Sequence, residues 1–233
     1  LYSVAQDKCS PLVDSAEQFN VDVLSMDITG QVLAVEGPSW TYTCRLPLLG
    51  RHQVENAMAA IATVRVIDEQ GFSVPDSSVE SGLASVRWPA RMDVISDSGP
   101  VVMVDGAHNP YSVKILTRAI RDYFTYRSLI VVWGVLKGHD LDHMLIELKE
   151  LDPILIAVGS KHPKSVSIDK IKLAAERHGI RVSATCKTVA AGIDLALKLS
   201  NRSDLIVGTG SLSIAAECIE VLNGMESEEY FNL

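Results

Sequence analysis

The sequence predicts an α/β protein, in which a mainly parallel sheet with helices on both faces follows a smaller segment of strands and helices. From residue 92 onward, short apolar runs alternate with segments of helical periodicity. Strands that are apolar throughout and separated by helices are typical of parallel sheets covered on both sides. Before that point, β-rich segments interrupted by turns precede a long helical pattern. This change of pattern predicts a second, Rossmann-like domain.

The first predicted domain, 1–87, begins with antiparallel strands. Two segments, 21–35 and 40–46, are rich in β-branched and aromatic residues. Turn dipeptides at 29–30 and 37–38 interrupt them, as expected between antiparallel strands.

Helical patterns follow these strands. From 52 to 67, apolar residues recur every three or four positions, which predicts an amphipathic helix. Asp76 is predicted to start a short helix over 79–86. The segment WPAR at 88–91 then breaks the pattern. We predict a domain boundary there, so that the second domain comprises residues 88–233.

The second domain is predicted to alternate strands and helices. Strands are expected at 92–95, 101–104, 129–133, 154–158, 180–184 and 204–207. Helices are expected at 111–124, 140–150, 168–178, 188–199 and 212–222. The strand at 92–95 precedes another strand without a helix between them, so it is predicted to be an antiparallel edge. Several strands are predicted to end in Gly or Asp, at the edge where α/β sheets bind ligands: Asp105, Gly134, Gly159 and Gly208.

Composition excludes several classes of protein. The net charge of −8 argues against a nucleic-acid or membrane-surface protein, and no apolar run approaches the roughly 20 residues that span a bilayer. The first ten residues do not resemble a signal peptide. The four cysteines are scattered without a CxxC pair, which predicts reduced thiols and a cytoplasmic protein. The acidic tail, 225–233, is predicted to fray.

The segment DGAHNP at 105–110 places an acid, an imidazole and an amide at a strand-to-helix corner. Asp105 could accept hydroxyls of a ribose, and His108 could orient or deprotonate an amine near neutral pH. Asn109 could cap the helix that begins at Pro110 or contact a ligand. The alternative is an ordinary turn in which Asp105 only ends the strand.

Two other segments carry candidate nucleotide contacts. GRHQVEN at 50–56 opens the long helix, whose free N–H groups and Arg51 would attract an anion. Asn56, one turn later, could pair its amide with a purine edge. Arg91, in the predicted linker, has the planar guanidinium that suits phosphate. For each, an incidental polar surface residue is the alternative.

The segment GVLKGHD at 134–140 follows another predicted strand. Lys137 could reach a phosphate or carboxylate, and Asp140 is predicted to cap the next helix. The spacing of His139 and His143 suits a metal-binding helix face. Because no third ligand is evident, we predict a solvated pair and no metal site.

The segment GTGS at 208–211 lies in the last βα unit. It resembles a phosphate-binding loop only weakly, and neither GxxxxGK[ST] nor GxSxG occurs in the sequence. Ser211 is predicted to cap the final helix.

Taken together, these segments closely resemble the folylpolyglutamate synthase/dihydrofolate synthase family of the Mur ligase group. The resemblance extends from about residue 20 to residue 223, in the family's order. It is carried by LGRHQVENA at 49–57, WPARM at 88–92, DGAHNP at 105–110, KGHD at 137–140 and GSL at 210–212.

The resemblance implies that 1–87 is the end of an ATP-binding domain and that 88–233 is a complete Mur ligase C-terminal domain. It implies ATP and Mg²⁺ as cofactors. The family's Walker A loop and Mg²⁺ ligands would precede Leu1, so this chain alone is expected to be inactive and to depend on the missing ATPase domain.

Roles for individual residues also follow from the resemblance. Asn56 corresponds to a residue that contacts adenine, Arg91 to one that contacts phosphate, and Asp105 to the acid at the ribose. His108, with Asp105, is implied in catalysis. His108 and Ser211 are implied in binding glutamate.

The implied reaction is ATP-dependent addition of L-glutamate to folate through an acyl phosphate, with dihydropteroate as an open second substrate. A monomer with small-molecule substrates, and with no nucleic-acid or membrane partner, is expected. The alternatives are a muramyl-peptide ligase of the same group, a dinucleotide-binding oxidoreductase domain, and a non-catalytic binding module.

The chain departs from the family pattern at three places. Ala90 stands where the family often has Gly, and His139 where it often has Lys. Ala216 precedes Glu217 where Gly-Glu is common. The Lys137–Asp140 turn and Glu217 are therefore not included in the predicted site.

Overall fold

The structure, a computed structural model, describes residues 1–38 and 40–226. The chain divides into two compact units, Leu1–Arg87 and Trp88–Leu233. The tail predicted to fray lies outside the described residues from 227 onward.

The first unit contains an antiparallel sheet and helices. Its elements are α1 (Tyr2–Asp7), α2 (Ser15–Gln18), β1 (Asn20–Asp27), β2 (Gly30–Glu36), β3 (Thr41–Leu46), α3 (Arg51–Glu69) and α4 (Asp76–Ser85). The strands follow one another in the order β1-β2-β3, and both pairs are antiparallel, as the pattern predicts. The sequence did not predict α1 and α2, because these short helices bury no residue and so have no apolar periodicity.

One face of this sheet packs on the long helix. Alternate residues of β3 are buried, and those on the other face are exposed, as expected for a sheet with one solvated face. The core joins Leu33, Val35, Tyr42, Cys44 and Leu46 of the sheet to Val54, Ala57, Met58, Ile61 and Ala62 of α3. The helix begins immediately after Gly50, and this core holds its first turns against the sheet.

In the second unit, six described strands form one sheet. The elements are β4 (Asp93–Ser96), β5 (Val101–Val104), α5 (Pro110–Tyr123), β6 (Leu129–Trp133), α6 (Leu141–Lys149), β7 (Ile154–Val158), α7 (Ile168–Arg177), β8 (Arg181–Cys186), α8 (Val189–Leu199), β9 (Leu205–Thr209) and α9 (Leu212–Leu222). Every residue of β6 and β9 is buried, so both faces of the sheet are covered. Within the described part of the chain, no helix is long and apolar enough to cross a bilayer.

The strand order determines where a ligand can bind. The order is β4-β5-β9-β6-β7-β8, parallel except for β4, which pairs antiparallel with β5 at one edge. The predicted parallel sheet and its antiparallel edge are therefore confirmed. Because β9 returns between β5 and β6, the loops after these three strands lie side by side where the connections diverge. Ligands of open α/β sheets bind at such a point.

The predicted end of β9 is wrong. The strand extends to Thr209, so Gly208 lies inside it rather than at its end. An added Cβ on Gly208 would lie 2.5 Å from Sγ of Cys218, which shows that this glycine allows α9 to pack closely on the strand. Similarly, β8 extends to Cys186, past the predicted end at 184, because its last two residues are not part of a continuous apolar run.

Asp204, just before β9, is hydrogen-bonded to Arg127, just before β6, at the amino-terminal ends of these two central strands. Its buried carboxylate accepts hydrogen bonds from the N–H of Asn201 at 2.7 Å and from Nε and Nη2 of Arg127 at 3.3 Å. Burial alone would raise its pKa, but the bonds from Asn201 and Arg127 outweigh burial and lower the pKa. The ionised form is therefore the one that stabilises the fold.

We expect Asp204→Asn to lower the free energy of unfolding at pH 7 by about 1–2 kcal/mol, because buried donors lose a charged acceptor. Since the folded-state pKa is lowered, this contribution is present above the ordinary aspartate value of about 3.9 and is lost as the pH falls below it. Urea unfolding of both chains at pH 7 and at low pH measures the difference. A difference that persists undiminished in acid would contradict the assignment.

Candidate active site

The carboxylate of Asp105 organises the loop that follows β5. Asp105 is buried, and its two oxygens accept hydrogen bonds from the N–H of Met92 at 2.9 Å and the N–H of Ala107 at 2.8 Å. Burial raises its pKa, while these two bonds and the charges of Arg91 and His108 oppose that rise. Each carboxylate oxygen has a further lone pair, so Asp105 can still accept a ligand hydroxyl.

Arg91 is placed by a strained turn. Ala90 and Met92, on either side of it, have φ values of 59° and 46°, in the left-handed region that glycine favours. The N–H of Gly106 donates to the carbonyl of Ala90 at 2.9 Å, and Asp105 holds Met92 from the other side. A glycine at position 90, which the resemblance leads us to expect, would adopt this backbone without strain.

Gly106 lies close to the side chains of that arginine and of Leu212. A Cβ added to it would lie 3.2 Å from Nη1 of Arg91 and 2.5 Å from Cδ2 of Leu212. The guanidinium of Arg91 therefore lies over the backbone of the DGAHNP loop, beside Asp105. A cationic group held at this corner suits a phosphate ligand.

His108 is held in one orientation. Its Nδ1 lies 2.9 Å from the carbonyl oxygen of Gly106. Because a carbonyl only accepts, Nδ1 carries the proton and Nε2 of the neutral ring is left as an acceptor. The backbone N–H of His108 donates to Oγ of Ser112 at 3.0 Å. The half-buried imidazole can thus present Nε2 to a ligand without further reorganisation.

The helix after this loop is capped as predicted. Oδ1 of Asn109 accepts the N–H of Ser112 at 2.8 Å, and Pro110 occupies the first turn. A capping box of this kind fixes the direction of chain entry. Asn109 therefore acts as the helix cap, which was the first of its two predicted roles.

The turn after β6 brings His139 to the same place. The rings of His139 and His108 meet edge to face, with centroids 5.4 Å apart. Asp140 caps α6 by accepting the N–H of His143 and also accepts from Nδ1 of His143 at 2.8 Å. The prediction of a solvated pair of His139 and His143 is therefore wrong for His139. No group of three potential metal ligands occurs among the described residues.

The third loop, after β9, brings in Ser211. Its buried Oγ accepts the N–H of Ile214 at 3.2 Å, so Ser211 caps α9 as predicted. A serine hydroxyl that accepts one bond can still donate its proton. The sheet therefore gathers Asp105, His108 and Ser211, with Arg91, at neighbouring strand ends.

Asn56 belongs to the first unit and is described separately. It is exposed on the second turn of α3, and its Nδ2 donates to Oε1 of Gln53 at 3.0 Å. Its amide oxygen remains as an acceptor. The predicted adenine contact is thus sterically accessible.

Sequence reasoning missed two features of this site. Asp105 binds the backbone of Met92, which is 13 residues away, and this contact depends on the pairing of β4 with β5. His139, after β6, reaches His108, after β5, across the end of β9, which lies between these two strands. The departure of His139 from the family's Lys marked the position, but no pattern indicated its contact.

A parallel sheet with polar loops gathered at adjacent strand ends defines a Rossmann-like ligand-binding domain. Comparison with known proteins narrows this class, because residues 90–212 match the family described as Mur ligase, glutamate ligase domain. The chain belongs to this family.

Its relatives confirm the resemblance to folylpolyglutamate and dihydrofolate synthases. It is 31% identical over 176 residues to the dihydrofolate synthase/folylpolyglutamate synthase of Mycobacterium tuberculosis, covering 74% of this chain and 36% of that protein. It is 30% identical over 190 residues to a probable bifunctional folylpolyglutamate synthase/dihydropteroate synthase of Halobacterium salinarum, covering 81% and 22%. The chain thus spans about a third or less of these curated relatives.

Solved structures agree with this family assignment. The folylpolyglutamate synthase of Mycobacterium tuberculosis complexed with ADP superimposes with a TM-score of 0.83 at 28% identity, covering 98% of this chain and 52% of that one. The bifunctional synthase of Yersinia pestis, complexed with AMPPNP and Mn ion, has the same fold at 18% identity and a TM-score of 0.76, covering 95% and 50%.

Proposed function

We propose that this chain is part of an ATP-dependent ligase that adds L-glutamate to folate, and in a bifunctional enzyme also to dihydropteroate. The observation that carries the proposal is the cluster of Arg91, Asp105, His108 and Ser211 at adjacent strand ends of a glutamate ligase domain. The relative complexed with ADP supports a nucleotide as one ligand.

The reaction has two chemical steps, and we assign a role in them to each residue of this cluster and to Asn56. The γ-carboxylate of folate takes the γ-phosphoryl group of ATP, and ADP leaves. The amine of glutamate then attacks the acyl phosphate, and phosphate departs. Phosphoryl transfer needs positioning and charge stabilisation, which we assign to Arg91. We assign Asp105 to the ribose and Asn56 to adenine.

The second step needs a neutral amine held near the acyl phosphate. We assign this role to His108, whose Nε2 is the free acceptor, and we assign Ser211 to glutamate binding. Mg²⁺, when bound, would shield the phosphate charges. We assign none of its ligands to residues of this chain.

A substrate panel tests this proposal. The complete gene product, given ATP and radiolabelled L-glutamate, is expected to label tetrahydrofolate, dihydropteroate or both, but not a muramyl peptide. The 233-residue chain, which has no GxxxxGK[ST] motif, is expected to show no folate-dependent ATP turnover. Labelling of the muramyl peptide alone would support the rival ligase. Folate-dependent ATP turnover by the 233-residue chain would contradict the proposal that this chain is only part of the ligase.

The oxidoreductase alternative is disfavoured by the family match and by the loop itself. DGAHNP occupies the position after the first parallel strand, where that class has a glycine-rich loop. Titration with NADH, followed by cofactor fluorescence, is expected to show no binding.

A further inference from the structure

A buried glutamate on α9 makes contacts that the proposed reaction does not use. Glu217 is 2% exposed, and its Oε1 accepts hydrogen bonds from Oγ of Ser160 at 2.5 Å and the N–H of Lys161 at 3.0 Å. Its Oε2 is buried and has no hydrogen-bond partner in the described part of the chain. Burial raises the pKa of Glu217, although these two bonds oppose the rise. A carboxylate kept at such a place needs an explanation, because burying it is unfavourable.

The loop that Glu217 contacts is stabilised by hydrogen bonds between its own residues. The N–H of Ser160 donates to Oγ of Ser165 at 3.1 Å, and the N–H of His162 donates to Oγ of Ser160 at 3.0 Å. The N–H of Ser165 donates to the carbonyl of His162 at 2.8 Å. The 160–166 loop is therefore a compact unit whose position follows that of Ser160.

Backbone hydrogen bonds join this loop to the turn that follows β6. The N–H of Lys137 donates to the carbonyl of Lys164 at 2.7 Å, and the N–H of Val166 donates to the carbonyl of Val135 at 2.8 Å. Leu136 and Ser165 form an isolated antiparallel bridge between these two bonds. The 160–166 loop therefore contacts each of residues 135–137 of this turn.

The supported turn ends at the candidate site. The N–H of His139 lies 3.4 Å from the carbonyl of Leu136, and its ring lies against His108. A continuous series of hydrogen bonds therefore leads from Glu217, through the 160–166 loop, to the histidine that contacts His108. The hydrogen bonds of this series up to the turn are 2.5–3.1 Å long, and the last, from the N–H of His139 to Leu136, is 3.4 Å.

We propose that Glu217 is a positioning residue that fixes His139 against His108 by holding the 160–166 loop. A well-packed apolar side chain would fill its place without a desolvation cost, but it could not bind Ser160 and Lys161. The role of His108 in catalysis rests on the function proposed above, whereas the positioning of the two rings does not. The two claims can therefore be tested separately.

The first test observes the rings directly in the 233-residue chain. We expect a ring-to-ring nuclear Overhauser effect between His108 and His139 in the parent chain and its loss in Glu217→Ala. Glu217→Gln keeps an oxygen acceptor at the same place and is expected to retain the effect. Ser160→Ala removes the donor from the loop side and is expected to lose it, which keeps the test available should Glu217→Ala fail to fold.

A variant destabilised elsewhere in the unit separates positioning of the rings from a general loss of stability. Asp204→Asn weakens the same unit at the amino-terminal ends of its strands and touches neither loop, so it is expected to retain the ring contact. The proposal is overturned if the folded Glu217→Ala or Ser160→Ala chain keeps the contact. It is equally overturned if Glu217→Gln or Asp204→Asn loses the contact.

The second test measures activity in the complete gene product. If His108 acts in the reaction, Glu217→Ala is expected to lower kcat by about 100-fold, because small misplacements of reacting groups cost about that much, and Glu217→Gln is expected to restore most of it. Loss of the ring contact with unchanged kcat would leave the positioning role intact and contradict the assignment of His108. Unchanged contact with reduced kcat would contradict the positioning role.

Discussion

The His108→Ala variant of the complete gene product is expected to lose about 10²- to 10⁴-fold in kcat, the usual contribution of a positioned acid–base group. The expected loss follows from the geometry at the end of β5. Nδ1 is engaged by the carbonyl of Gly106, so Nε2 is the one ring atom left to take a proton from the amine. An alanine leaves that amine without an acceptor at this corner.

The fold should tolerate this substitution. His108 is half-buried, and the capping bonds between Asn109 and Ser112 do not involve its ring. His178→Ala is the control, because its imidazole bonds Asp142 of α6 and the residue lies at the end of α7, outside the three site loops. Steady-state kinetics with ATP, glutamate and folate, together with thermal melts, distinguish the outcomes. Equal activities of the two variants would remove His108 from the proposed mechanism.

The Gly210→Ala variant is expected to destabilise the second unit by about 3 kcal/mol or more, from a left-handed backbone and an overpacked core together. Gly210 has φ 109°, and an added Cβ would lie 2.5 Å from the carbonyl oxygen of Gly134 and 3.2 Å from Cδ2 of Trp133. Neither neighbour can yield easily, since one is backbone and Trp133 is fully buried. Ser211 would be displaced with it.

Gly138→Ala provides the control for backbone strain. Gly138 has φ 95°, but no atom lies within 4 Å of an added Cβ. Gly138→Ala should therefore lower the free energy of unfolding only by the strain of a left-handed alanine, about 1–2 kcal/mol. Urea unfolding of the two variants measures the difference. Equal destabilisation would show that the loops after β9 and β6 approach each other less closely than the structure indicates.

The alternation of strands and helices could be predicted from the sequence because burial on both faces makes the central strands β6, β7 and β9 largely apolar. The edge strand β4 is only partly buried, and its antiparallel pairing could be predicted because no helix fits between it and β5. The end of β9 could not be predicted, because Gly208 and Thr209 are not typical strand residues. They belong to the strand through pairing with β6 and packing against α9.

The residues of the candidate site could be predicted only in part. The DGAHNP corner combines a strand end, a helix cap and chemically active side chains within six residues, and such local signals are readable from sequence. Two sets of contacts are long-range. One is the hydrogen bond from Met92 to Asp105, and the other is the series of hydrogen bonds from Glu217 through the 160–166 loop to His139. They depend on strand register and on the return of β9 between β5 and β6, which no local pattern encodes.

The central claim of the proposed function, that glutamate is added through an acyl phosphate, is tested most directly by following the oxygen atoms of the γ-carboxylate. The complete gene product would be given folate labelled with ¹⁸O in its γ-carboxylate, together with ATP and L-glutamate, and the released phosphate analysed by mass spectrometry. Because the carboxylate oxygen that attacks the γ-phosphorus leaves with the phosphate, one labelled oxygen is expected in each phosphate. Phosphate that carries no label, despite formation of the glutamylated product, would contradict the account.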